Sequence, residues 1–200
     1  LKRILIIDWD VHHANGTQHI FEKSNEVLLF SSHRLPFFPG TGDSGEVGLE
    51  EGTGFTVNVP LSPQKDDGDF CEVYRRILEP IAMEFQPQLI IVSAGFDCHY
   101  DDPLGGMKVT EQGFAYLADM ILKIADATCD GKAVFTLEGG YDLGAIRKSA
   151  KLVLETMVGG ISEKIKTGIE SKIKATPPVI ETINSVMNIQ KAYWKCFNNV

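Results

Sequence analysis

The sequence predicts an α/β fold built on one parallel sheet, and two features of its 200 residues support this prediction. Five short apolar runs alternate with longer segments of helical periodicity, the element order of a parallel sheet with crossover helices. In most of these runs the apolar residues are consecutive, as in ILIID and LIIVSA. Strands of this composition are buried on both faces, so we expect helices on both faces of the sheet.

The predicted strands are residues 3–10, 26–31, 54–61, 88–94 and 132–138. Because its composition predicts burial on both faces, the first strand should lie in the middle of the sheet. Helices are predicted for residues 69–85, 110–127 and 143–158, where apolar residues recur at helical spacing. Thr110 is a suitable N-cap for the second of these helices.

The pattern changes after residue 160. Residues 161–174 are rich in Lys and Glu, Pro177 and Pro178 interrupt the chain, and residues 179–197 predict a terminal amphipathic helix. We interpret residues 161–200 as a helical tail that packs on the same domain rather than as a second domain.

Composition narrows the possible functions. Hydrophobic residues make up 44% of the chain, enough for a sizeable core, and the net charge is −8. The negative charge argues against nucleic-acid binding and is compatible with basic peptides or polyamines as substrates. No apolar run reaches membrane-spanning length, so no membrane contact is expected. Four widely spaced cysteines without a CxxC motif predict reduced thiols and a cytoplasmic location.

Polar residues follow three of the predicted strands. Asp8, Asp10 and His12 end the first, Asp97 follows the fourth in SAGFD, and Tyr141 follows the fifth in LEGGY. In open α/β sheets, ligands bind in the crevice beyond the carboxyl ends of the strands. We therefore expect these side chains to meet in one crevice.

The DWDVHH segment indicates a metal site. Side chains alternate along a strand, so Asp8, Asp10 and His12 should share one face. Two carboxylates and an imidazole suit a divalent metal of borderline hardness. The alternatives are a solvated Asp pair at a strand end, a turn or cap role for Asp97, and a partly buried packing role for Tyr141.

Several motifs in order resemble the histone deacetylase family, in particular class II-like members and bacterial relatives of the acetoin-utilisation and polyamine-deacetylase kind. They cover residues 1–160, which the resemblance identifies as the C-terminal part of the catalytic domain. The resemblance implies an arginase/deacetylase-like fold. The motifs are DWDVHHANGTQ, HRLPFFPGTGD, VGLEEGTGFTVNVPL, LIIVSAGFDCHYDDPLGG and LEGGYDLGAI.

The resemblance implies a zinc-dependent deacetylase. Asp10, His12 and Asp97 correspond to the family's zinc ligands, and iron(II) is an alternative occupant of so hard a ligand set. Tyr141 corresponds to the tyrosine that donates a hydrogen bond to the oxyanion. Phe38 corresponds to a wall of the substrate tunnel and Leu104 to its rim.

Leu104 stands where polyamine-selective relatives carry Glu. The resemblance therefore favours acetyl-lysine or another acetylated amine with an uncharged stem as the substrate.

Asp8 corresponds to a residue that orients a catalytic histidine and helps to hold a structural potassium ion. The carbonyl groups of Asp8, Asp10, His12 and Ser32, with the Ser31 hydroxyl, would complete that monovalent-cation site. We interpret His13 as a structural, hydrogen-bonded histidine. The remaining histidines, His19, His33 and His99, are expected at the surface or in loops.

One part of the family pattern is absent from these 200 residues. The family's general base belongs to a His-His pair upstream of the metal motif, and no histidine precedes Asp8. We therefore expect the base to come from a missing N-terminal half of the catalytic domain, and the chain alone to be inactive. Two other functions stay open: a ureohydrolase-like hydrolase with two metals, and an inactive binding fragment.

Overall fold

The computed structural model describes residues 1–198 and contains five strands. All of them pair in parallel, in the order β3-β2-β1-β4-β5. The parallel sheet predicted from the sequence is therefore confirmed, and so is the central position of the first strand. The strands are β1 (Ile4–Asp8), β2 (Val27–Arg34), β3 (Thr56–Leu61), β4 (Leu89–Ala94) and β5 (Ala133–Leu137).

The helices follow the predicted order, with one addition. The helices are α1 (Asn15–Phe21), α2 (Asp67–Val73), α3 (Glu79–Phe85), α4 (Glu111–Cys129), α5 (Leu143–Gly159), α6 (Glu163–Glu170) and α7 (Pro177–Gln190). The sequence did not predict α1, because it buries only Gln18 and so lacks an apolar stripe. Thr110 caps α4 as predicted, its side chain accepting a hydrogen bond from Gly113 N.

The helix predicted over residues 69–85 is interrupted in its middle. A π-helical turn, Tyr74–Leu78, separates α2 from α3. Pro80 lies in the first turn of α3 and has no N–H to donate to the preceding turn. The local rearrangement into a wider turn accommodates that missing hydrogen bond.

Two strands end at different places from those predicted. β1 stops at Asp8 rather than residue 10, because the Asp8 side chain accepts the Asp10 N–H at 2.9 Å and turns the chain. β2 continues beyond Ser31 to Arg34, pairing with Leu61 of β3. The extension places three further residues inside the sheet.

The two faces of the sheet are covered unequally. The larger core contains Leu5, Ile7 and Phe30 together with apolar residues of α2 through α7. The opposite face carries a small cluster in which Ile6 and Leu29 pack with Phe21 of α1. Helices therefore contact both faces, as predicted, but only α1 contributes to the smaller cluster.

The tail lies against the β3 side of the sheet. Its terminal helix ends at Gln190 rather than near residue 197, and a 3-10 turn, Lys195–Phe197, follows. The chain turns there so that the Trp194 indole N–H can donate to the Gly54 carbonyl at 2.9 Å. None of the helices in residues 1–198 combines the length and apolarity needed to cross a membrane.

Candidate metal centre and active site

Three strand ends bring the predicted polar residues to one edge of the sheet. β4 lies between β1 and β5, so the segments that follow these three strands leave the sheet side by side. Asp10 and His12 follow β1, Asp97 follows β4, and Tyr141 follows β5. The residues that were predicted to meet therefore follow three adjacent strands.

Asp10, His12 and Asp97 form a compact cluster. Their possible ligand atoms all lie within 4.8 Å of one another. His12 Nδ1 is 2.9 Å from Asp10 Oδ1 and 3.2 Å from Asp97 Oδ2. One imidazole nitrogen and two carboxylates oriented toward one point are donors that suit a divalent cation.

Asp97 is a buried carboxylate that needs a positive partner. Its side chain is fully buried, and Oδ1 accepts the Val11 N–H at 2.7 Å. Oδ2 is also buried but receives no hydrogen bond from residues 1–198. Burial and the nearby Asp10 carboxylate raise the pKa of Asp97 to about 8. A buried carboxylate in this position is costly unless a cation compensates for it.

Glycines allow the backbone to close around these carboxylates. A Cβ atom on Gly139 would clash with the carboxylate oxygens of both Asp10 and Asp97, and one on Gly95 would clash with Asp10. Gly139 also donates its N–H to Asp10 Oδ2 at 2.9 Å. Residues without a side chain are therefore required at both positions.

Asp8 lies outside this cluster, beside it in the chain. Its carboxylate is buried, and burial together with the Asp10 carboxylate raises its pKa well above the usual range. Its backbone carbonyl lies 3.4 Å from the Ser32 hydroxyl, across the β1–β2 pair. The Ser31 hydroxyl donates to His33 Nδ1 at 2.9 Å.

The expectation that His33 lies at the surface or in a loop is wrong, since it is fully buried within β2, whereas His99 does lie in the loop between β4 and α4, where it is also fully buried. His33 belongs to the unpredicted extension of β2, and its Nε2 donates to the Gly42 carbonyl at 2.9 Å. Burial and the neighbouring His13 ring lower the pKa of His33 to about 4. His99 lies 3.3 Å from Glu111, at the start of α4.

The predictions for the other two histidines agree with the structure. His13 is buried, and its ring nitrogens form hydrogen bonds with Thr41 and Gln18, both at 2.8 Å. His19 is an exposed residue of α1 whose ring lies 3.7 Å from Glu22.

Two phenylalanines flank His12, whereas the sequence singled out one. Phe38 is largely exposed and presents its edge to the His12 ring at 6.2 Å. Phe37 stacks on the His12 ring, with centroids 5.1 Å apart and planes at 16°. The FFPG motif contains both residues, but only the folded loop decides which of them packs flat on the imidazole. Leu104 is exposed, consistent with a position at the rim.

Arg34 joins the two loops that carry these aromatic and rim residues. Its guanidinium lies 4.2 Å from the centre of the Phe37 ring, a cation–π contact. It also donates to the Gly105 carbonyl at 3.2 Å, next to Leu104. Sequence reasoning missed Arg34, because nothing local shows that β2 continues as far as this residue.

Tyr141 lies at the open side of the cluster, with its side chain about half exposed. Slight burial and the Asp97 carboxylate raise the pKa of its phenol. Its backbone N–H donates to Asp102 Oδ2 at 2.8 Å. Asp102 was not recognised from the sequence, although an Asp before Pro commonly organises a turn through its own side chain.

Comparison with known proteins identifies relatives over almost the whole chain. Residues 1–157 match the family described as the histone deacetylase domain. A probable deacetylase of Archaeoglobus fulgidus is 37% identical, over 98% of this chain and 57% of its own length. Histone deacetylase 15 of Arabidopsis thaliana is 42% identical, over 96% of this chain and 34% of its own length.

Solved structures give the same result. The HDA15 HD domain superposes with a TM-score of 0.87 at 38% identity, covering 98% of this chain and 52% of that domain. The histone deacetylase Clr3 superposes with a TM-score of 0.90 at 39% identity, covering 98% of this chain and 33% of that protein. The chain therefore spans from about a third to somewhat more than half of these relatives.

Proposed function

Because the chain belongs to the histone deacetylase family, we propose that it forms the metal-binding part of a zinc-dependent deacetylase. The reaction is hydrolysis of an amide bond, which releases acetate and a free amine. The observation that carries this proposal is the buried Asp97 Oδ2, which accepts no hydrogen bond in the described residues although His12 Nδ1 lies only 3.2 Å away.

The residues present fit a divalent metal. Asp10, His12 and Asp97 would hold it, and the orphaned oxygen of Asp97 would gain the positive partner that its burial demands. Bound there, zinc would supply Lewis-acid polarisation of the amide carbonyl and activation of water. Iron(II) is the alternative occupant, since two of the three ligands are carboxylates.

The neighbouring side chains supply the rest of the chemistry. Tyr141, about half exposed beside the cluster, would donate a hydrogen bond to the carbonyl oxygen as negative charge develops there. Phe38 would form one wall of the tunnel around the substrate stem, and Phe37 stacks on the His12 ring. Leu104, exposed at the rim, would contact the stem where it leaves the protein.

The proposed substrates are acetyl-lysine side chains or related small acetylated amines. The net charge of −8 favours substrates within a basic context. An apolar rim residue provides no carboxylate to recognise a charged polyamine stem. We also propose a cytoplasmic location, because the four cysteines are free thiols.

The general base would come from a histidine outside these residues. His12 is the only histidine of residues 1–198 that hydrogen-bonds or ion-pairs with Asp10 or Asp97. We propose that a His-His pair on an N-terminal half of the catalytic domain takes the proton from the attacking water. The 200-residue chain alone would then be inactive.

A structural potassium ion is proposed beside the metal centre. The buried Asp8 carboxylate lacks a cationic side chain within ion-pair distance in residues 1–198, so a monovalent cation would compensate its charge. The carbonyl groups of Asp8, Asp10, His12 and Ser32 and the Ser31 hydroxyl are its proposed ligands.

The ureohydrolase-like alternative predicts two metals in each chain. Within residues 1–198, one group of three candidate ligands lies close enough to share an ion. That arrangement favours a single metal. The other alternative, an inactive binding fragment, predicts metal without turnover even when the rest of the catalytic domain is present.

The decisive experiment measures metal content and acetate release together. In the full-length protein we expect one zinc per chain, and Asp97→Ala should lose both metal and activity because the fully buried ligand cannot be replaced by solvent. Asp8→Ala should impair activity more than metal content. Near-complete metal occupancy in Asp97→Ala would show that the ligand assignment is wrong, and two metals per chain would favour the ureohydrolase-like alternative.

A further inference from the structure

Asp102 is a buried carboxylate outside the metal cluster, and it connects two loops at the mouth of the site. Its Oδ1 accepts hydrogen bonds from the backbone N–H groups of Leu104 and Gly105, both at 2.9 Å. Its Oδ2 accepts a third, from the backbone N–H of Tyr141, at 2.8 Å. The Asp102 side chain therefore holds both the backbone of Leu104 and Gly105 and the backbone of Tyr141.

The loop that carries Tyr141 has few other attachments near that residue. Gly139 donates to Asp10 at 2.9 Å, and its carbonyl accepts the Phe96 N–H at 2.7 Å. The Tyr141 hydroxyl forms no hydrogen bond with the described residues, and 53% of the residue's surface is exposed. Packing therefore does little to fix the ring, and its position depends on the backbone that Asp102 holds.

We propose that Asp102 is a positioning residue that places Tyr141 for hydrogen bonding to the substrate and couples that placement to the rim residue Leu104. This inference rests on the proposed role of Tyr141 as the hydrogen-bond donor. A donor acts only within hydrogen-bond distance of the developing oxyanion, and a misplacement of about 1 Å costs on the order of 10²-fold in rate.

Asp102→Asn tests the arrangement with little change in size. The amide must turn its NH₂ group either toward the Tyr141 N–H or toward the N–H pair of Leu104 and Gly105, so that donor faces donor. In the full-length protein we expect kcat to fall about 10- to 10²-fold, with KM changed less than about threefold, because the transition-state contact is lost.

Asp101→Asn is the matched control. It removes the same charge one residue away, but Asp101 is about 40% exposed, and its carboxylate lies 3.8 Å from Lys148. In the described residues it accepts no hydrogen bond from the Tyr141 loop, so kcat should stay within about twofold of wild type.

A double-mutant cycle separates positioning from a general structural role. In Tyr141→Phe the hydroxyl that Asp102 positions is gone, so adding Asp102→Asn should lower kcat by less than about a further threefold. The same loss in both backgrounds would overturn the proposal, because Asp102 would then act independently of Tyr141.

A second measurement does not depend on turnover. With 3-fluorotyrosine at position 141, the ¹⁹F resonance should shift and broaden in Asp102→Asn and stay unchanged in Asp101→Asn. If Tyr141→Phe leaves turnover unaffected, the proposed donor role fails while this spectrum still tests positioning. If Asp102→Asn does not fold, the same ¹⁹F measurement is made on Asp102→Glu, and the same shift is expected. An unchanged resonance, or failure of both variants to fold, would contradict a positioning role.

Discussion

The β3 edge of the sheet is covered by the tail, whereas the β5 edge exposes apolar side chains. At β3, Gln190 and Trp194 are both buried and donate side-chain hydrogen bonds to the carbonyls of Thr56 and Gly54. At β5, Val134 and Leu137 are more than half exposed. An apolar groove of about 180 Å³ lies between β5 and α5, with Phe135 and Leu154 among its lining residues.

The candidate metal centre lies near the β5 edge of the sheet. Asp97 follows β4 and Tyr141 follows β5, so the candidate site borders the exposed edge. An unpaired, apolar edge strand is a surface on which another strand can pair. If the general base comes from a further part of the catalytic domain, as proposed above, we expect that part to dock on the β5 side.

The largest expected effect is on turnover, and it comes from adding the upstream segment that we expect to dock at the β5 edge. The 200-residue chain should show little or no zinc-dependent activity on an acetyl-lysine peptide. An upstream segment that supplies the His-His pair, joined or added in trans, should raise turnover by about 10²- to 10⁴-fold, the usual contribution of a positioned base. It should also reduce aggregation, measured by sedimentation. A monomeric chain that alone turns over on the order of 10 times per second would contradict both expectations.

A smaller effect on turnover is expected from removing the Tyr141 hydroxyl near the β5 edge. In the full-length protein, Tyr141→Phe should keep its metal and its KM but lose turnover by roughly 10²- to 10³-fold, because one oxyanion donor is removed. Tyr193, beside the covered edge, provides the control. Tyr193→Phe makes the same chemical change, and we expect turnover within about twofold of wild type. Equal turnover in the two variants would mean that Tyr141 is a packing aromatic.

The smallest effects concern stability, and they test the two edges directly. Trp194→Phe removes the N–H that satisfies the Gly54 carbonyl, so urea unfolding of the 200-residue chain should show a loss of about 1–3 kcal/mol. Leu137→Ala at the open edge should cost less than about 0.5 kcal/mol in the same chain. Its cost should rise when the upstream segment is present. An equal cost with and without that segment would place the docking surface elsewhere.

Part of the site could be predicted because its signals are local. Asp10, His12 and Asp97 each follow an apolar run, and parallel strands leave a sheet at a common edge. The roles of His33 and Phe37 could not be predicted in this way. His33 is buried because β2 continues past Ser31, and Phe37 is set apart from Phe38 by the turn of its loop. Neither outcome leaves a periodic signal in the neighbouring residues.

The sequence by itself determined the parallel α/β sheet, the central place of its first strand and the ligand types at the strand ends, because composition and periodicity are properties of short segments. Only the tertiary structure decided which strand ends became neighbours. It placed the Asp97 carboxylate against Val11, a separation of 86 residues, and Asp102 beneath the Tyr141 N–H, a separation of 39. Contacts at such separations depend on the packing of the whole sheet, since each of the two carboxylates accepts a hydrogen bond from the segment that follows a neighbouring strand.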